Sequence, residues 1–118
     1  MKSKKHLKSY DPINFKIMNE LAAFFVSRGA RELNMGFEDQ DDKVCMYIKG
    51  SIEDIWQQDI EEFTSQLNVH RQHEVESYYW QLSGEDEFED FIIVGMMVDK
   101  ADVEYRDGRL EVIVTRLK

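Results

Sequence analysis

Twice in this chain a run of alternating apolar and polar residues doubles back on itself within a few positions, and this most constrains the fold. Leu33, Met35 and Phe37 alternate with Glu32, Asn34, Gly36 and Glu38; beyond an acidic stretch, Val44, Met46 and Ile48 alternate with Cys45 and Tyr47. A period of two marks a half-buried strand, and the short connection makes the pair an antiparallel hairpin. Val103 and Tyr105 then lead into Arg106-Asp107-Gly108-Arg109, after which Leu110, Val112 and Val114 alternate with Glu111, Ile113 and Thr115. Asp-Gly between two such runs is a strong hairpin signal, because both turn positions need a positive φ.

The hairpins are separated and preceded by helical patterns. Asp11-Pro12 suits a helix start, with Asp as cap and Pro in the first turn. Ile13, Ile17, Leu21 and Phe25 then recur every fourth residue beside Met18 and Ala22, and Gly29 suits a left-handed stop. Ser51 and Asp54 resemble a capping box ahead of Ile52, Ile55, Trp56, Ile60, Phe63 and Leu67 at helical spacing, which places Trp56 in the core. Further helices are expected over 74–82, with Gly84 after it, and over 88–100. The continuously apolar Phe91-Ile92-Ile93-Val94-Gly95-Met96-Met97-Val98 equally fits a buried strand. The expected architecture is α+β: a two-layer sandwich whose four-stranded sheet is built from two β-hairpins, with helices packed on one face.

At 118 residues, with 42% hydrophobic and 12% aromatic side chains, the composition is that of one globular domain. Residues 1–10 read as a basic tail and 11–118 as a single α+β domain. Lys2, Lys4, Lys5 and Lys8 are basic, whereas the whole chain carries 15 Lys+Arg against 24 Asp+Glu, a net charge of −9. An acidic body repels phosphate backbones, which argues against general nucleic-acid binding. No apolar run approaches membrane-spanning length, and Met1-Lys2-Ser3-Lys4-Lys5-His6 has no apolar segment behind it, so neither a membrane span nor a secretory signal is expected. One cysteine, Cys45, excludes an internal disulfide framework, and a reducing cytoplasm is the expected compartment.

Candidate chemical residues each have a plain alternative. His70 and His73 stand three apart near Glu74 and Glu76, but lack a third ligand and metalloprotease spacing, and read as polar surface. The acidic clusters 38–42 and 85–90 lack the alternating ligands of a calcium loop and read as solvated turns and helix N-terminal charge. Cys45, inside a strand pattern, reads as a small apolar side chain. No nucleophile elbow or phosphate-binding glycine loop is present, so no catalytic, cofactor or metal residue is expected. Tyr78-Tyr79-Trp80 differs: on a helix, consecutive residues point about 100° apart, so all three cannot face one core. These three are the candidate partner-binding residues, for a protein partner or a second copy.

The segment Asn19-Glu20-Leu21-Ala22-Ala23-Phe24-Phe25-Val26-Ser27-Arg28-Gly29-Ala30, with the hairpin to Lys49-Gly50-Ser51, resembles the first nucleotide-site helix and hairpin of histidine-kinase-like ATPase domains. The stretch from Phe91 through Asp107-Gly108-Arg109-Leu110-Glu111-Val112 is similar to that family's closing helix and hairpin. The resemblance implies an asparagine for magnesium and phosphates at the position of Phe24, and an adenine-binding aspartate at that of Lys49. A lysine ammonium only donates and cannot take the aspartate's role. The family's glycine-rich lid is missing too, since only Gly84 and Gly95 fall in that stretch. The resemblance therefore implies a scaffold that has kept its order and lost its nucleotide site, serving as a non-catalytic cytoplasmic interaction or regulatory module. The alternative is a nucleotide-binding domain with an altered pocket, lined by Asn19, Glu20, Lys49 and Gly50.

Overall fold

The computed structural model describes residues 11–76 and 91–118. The first helix, α1 (Pro12–Ser27), starts where Asp11 caps it: one carboxylate oxygen accepts from the Ile13 amide at 3.0 Å, and Pro12 occupies the first turn. The helix ends at Arg28, and Gly29 follows with φ +95°. Strands β1 (Leu33–Asp39) and β2 (Lys43–Ser51) form the first hairpin. After α2 (Gln57–Leu67) and a four-residue α3 (Ile92–Gly95) come β3 (Lys100–Arg106) and β4 (Arg109–Leu117). Asp107 and Gly108 turn the second hairpin at φ 53° and 76°, the left-handed pair that a two-residue turn demands.

All strand pairs are antiparallel, and the sheet order is β1-β2-β4-β3. The fold is therefore α+β, with two hairpins joined through their second strands. Alternation puts Val44, Met46 and Ile48 of β2 and Leu110, Val112 and Val114 of β4 on one face. They meet Ile17, Leu21 and Phe25 of α1 and Phe63 and Leu67 of α2 in a single buried cluster. The same alternation puts position 50 on that face, and it is glycine because a Cβ there would crowd the Phe25 ring and the Glu32 carbonyl. Burying side chains of this size stabilises by roughly 1.5–3 kcal/mol each.

The opposite face of the sheet holds half-buried side chains. Tyr47 lies across Gly36, where any Cβ would collide with its ring. Lys49 sits 3.8 Å from Glu111 and 5.7 Å from the Tyr47 ring centre.

Three expectations need correction. Ser51 does not cap a helix; it is the last residue of β2, and the ladder continues as the Ile52 amide donates to the Gly108 carbonyl at 2.8 Å. Helix α2 starts only at Gln57, with no side-chain cap. Trp56 is not in the core but 76% exposed: its backbone is extended (φ −75°, ψ 140°), which takes its side chain out of the phase that buries Ile60, Phe63 and Leu67. Nor does a helix continue to Lys100. α3 stops at Gly95, which packs so closely on the Gln66 carbonyl and Val69 that a Cβ would clash, and the Asp99 amide then donates to the Thr115 carbonyl at 2.8 Å. Of the expected helix over 74–82, residues 73–76 are helical and the rest lies outside the described residues.

Candidate functional site

A groove of about 390 Å³ runs between α1 and α2. Its walls are two helical rows of the same spacing: Glu20, Ala23, Phe24 and Ser27 on α1, and Asp59, Glu62, Phe63 and Gln66 on α2. Residues at i, i+3, i+4 and i+7 share one face, so each helix presents its lining as a continuous strip. The floor is aromatic. Phe24 and Phe63 stack with centroids 4.0 Å apart, and Phe91 meets both edge-on at 5.4 and 5.0 Å. Such pairs are worth about 0.5–1.5 kcal/mol beyond their buried area. Gln66 holds the third ring in place by accepting from the Phe91 amide at 2.8 Å.

The rim is acidic. Glu20, Asp59 and Glu62 line it, against a single lining cation, Arg28. Arg28 is itself engaged: its guanidinium lies 4.6 Å above the Phe24 ring and donates to the Ser27 hydroxyl at 3.3 Å. The three rings are themselves buried, with Phe24 6%, Phe63 3% and Phe91 8% exposed, so what the groove offers a partner is chiefly its carboxylate edge, suited to a cationic side chain.

A second polar centre holds the molecule together from below. Arg116 continues the buried series of β4 and is only 4% exposed. Its guanidinium donates to the Met97 carbonyl at 2.8 Å, to Asp11 at 2.8 Å, to Asn14 and to Glu76. Arg71 extends the network, donating to Glu76 at 2.9 Å, to Asp99 at 2.7 Å and to the Leu117 carbonyl at 2.8 Å. Every nitrogen of the Arg116 guanidinium has an acceptor, so the burial of its charge is compensated. Sequence reasoning missed this residue; the signal was a charged side chain at an inward position of the series Leu110, Val112, Val114, Arg116.

The structure does not bring the four residues of the nucleotide alternative together. Glu20 lines the helical groove. Lys49 lies on the far side of the sheet, in a separate depression with Glu104, Arg106 and Glu111. Gly50 is buried against Phe25, and Asn19 is exposed on α1. Phe24, at the position where the resemblance implies an asparagine, is stacked into the aromatic floor. His70 and His73 are exposed, and among the described residues no group of three or more His, Cys, Asp or Glu is placed to hold a metal. Cys45 sits in β2, 3.9 Å from the Thr115 hydroxyl. The 38–42 cluster is exposed and spans the end of β1 and the turn after it, with Lys118 paired to Asp39. Tyr78, Tyr79 and Trp80, Gly84 and the 85–90 cluster lie outside the described residues. No helix among the described residues is long and apolar enough to cross a membrane. Comparison with protein-family models, curated proteins and solved structures found no match for this chain.

Proposed function

We propose that the protein is a non-catalytic interaction or regulatory module of the cytoplasm, and that it engages a protein segment through the groove between α1 and α2. One observation carries this reading: a rim of three carboxylates edges a groove held rigid by three buried, mutually packed phenylalanines, and its one lining arginine is already engaged. A partner strand or helix bearing lysines or arginines matches this rim. The rim charges steer the approach and set the salt dependence.

The same reading holds the scaffold to be one that has lost a nucleotide site, since Phe24 and Lys49 offer neither the metal ligand nor the adenine acceptor that the resemblance implies.

The test is a fluorescence-anisotropy titration with a short lysine-rich peptide carrying one leucine, with ATP and magnesium titrated in parallel. The wild type is expected to bind the peptide, and the double reversal Asp59→Lys, Glu62→Lys to weaken it by about tenfold, the sum of two exposed charge contacts. ATP is expected to give no signal. Equal binding by the reversed variant overturns the groove assignment, and a micromolar ATP site overturns the loss of nucleotide binding.

A further inference from the structure

The outer edge of β1 is a second surface, independent of the groove. The Gln40 amide donates to the Lys43 carbonyl at 2.9 Å, which fixes the hydrogen-bonding phase of the hairpin. Groups alternate along a strand, so Asn34, Gly36 and Glu38 turn their main-chain polar groups toward β2, and Leu33, Met35 and Phe37 turn theirs outward. Among the described residues no strand pairs with that side. α1 packs mainly over β2 and meets β1 through the stacking of Phe15 on Phe37. Met35 is 45% exposed and Phe37 38%, and Phe37 stacks at 5.6 Å on Phe15, itself 46% exposed. A strand edge with outward-pointing backbone groups and an apolar flank is a template for another strand.

We propose that the partner at this edge is a second copy of the same chain, joined β1 to β1 in antiparallel register about a two-fold axis at Gly36. The outward phase allows axes through Met35, Gly36 or Phe37, and the side chains choose among them. About Gly36, Met35 of each copy faces Phe37 of the other, Asn34 faces Glu38, Leu33 faces Asp39, and Glu32 faces Gln40. The same register sets Arg31 at one end of the strand beside Asp41 of the opposing turn, twice over. An axis at Met35 sets Glu32 against Glu38; an axis at Phe37 sets Met35 against Asp39 and Glu32 against Asp42. Like charges directly opposite destabilise a strand pair, and apolar pairs stabilise it. Of the three, only the Gly36 register opposes no like charges while still joining Met35 to Phe37, and its one mixed pair is Leu33 with Asp39. Gly36 suits the axis itself: with no side chain, it lets the strands close there under the two Tyr47 rings. The result is a continuous eight-stranded sheet with all helices on one face, closed by an isologous contact.

Sedimentation of the full chain tests this. The wild type is expected to be a dimer at about 100 μM, a range that even a modest interface reaches. Met35→Lys inserts two cations into the strand pairing and should weaken the dimer about thirtyfold or more, as removal of a central anchor does. Arg31→Asp and Asp41→Arg, both at exposed positions, should each weaken it about tenfold, and combining the two should restore it. A monomeric wild type overturns the proposal. So does a dimer indifferent to Met35→Lys, which would place the contact elsewhere. Failure of the double variant to recover overturns the Gly36 register. Thermal melts of each variant separate loss of dimer from loss of fold, and peptide binding at the groove is read independently of all of them.

Discussion

The two edges of the sheet are managed in opposite ways. β3 is short and closely charged: Lys100, Asp102, Glu104 and Arg106 alternate along it, with Lys100 and Asp102 paired at 3.6 Å and Arg106 and Glu104 at 2.6 Å. Its inward residues Ala101, Val103 and Tyr105 pack under α2, and the Tyr105 hydroxyl donates to the Ile52 carbonyl at 2.6 Å. Its connection from α3 is tied down by Arg116 and Arg71. β1 has the same length, yet two of its apolar side chains, Met35 and Phe37, stay exposed. Charge and cover blunt an edge against stray pairing, and among the described residues β1 has less of both than β3.

Substitutions can break this contrast from its most anchored point to its least. The largest effect is expected from Arg116→Ala. It leaves Glu76, Asp11 and the Met97 carbonyl without their shared donor and should cost about 3–5 kcal/mol, as removal of one partner from a buried ion pair does. Urea denaturation measures it, and a loss below about 1 kcal/mol would show that the network contributes little to holding β3 and β4 under the helices. Next comes Gly108→Val at the turn between them. With φ at 76°, a β-branched side chain is strained there, and a cost of about 1–2 kcal/mol is expected. An unchanged melting midpoint would mean that the hairpin has reached another turn geometry. The smallest effect belongs to the open edge. Met35→Lys should change monomer stability by no more than about 0.5 kcal/mol, because the side chain is already half in water. A larger loss, measured on the monomer by dilution, would place Met35 inside the core and erase the difference between the edges.

The readable part of this fold was whatever depends on neighbours in sequence. Both hairpins, the capped start of α1 at Asp11-Pro12 and the positive-φ stop at Gly29 come from local backbone preference and side-chain period, and each stands in the structure as its pattern implies. For the candidate site, the acids and phenylalanines were visible as helical positions, but their union was not. Glu20 and Phe24 meet Asp59, Glu62 and Phe63 across two helices, and no periodicity within one helix says which other helix lies beside it.

What the chain by itself determined, then, is its elements: two antiparallel strand pairs, a strongly patterned first helix and an acidic surface. The tertiary structure decided the rest. It turned Trp56 out of the core, because the extension of β2 through Ile52 delays α2 until Gln57. It drew Arg116 inward, because four acceptors from three separate stretches converge there. It converted 96–100 from expected helix to turn and strand, because pairing with Thr115 satisfies the backbone and Gly95 is pinned against α2. It also joined the hairpins through β2 and β4, leaving β1 and β3 as edges of unequal character. Each of these outcomes rests on contacts between residues distant in sequence, whose free energy exists only once the layers have packed.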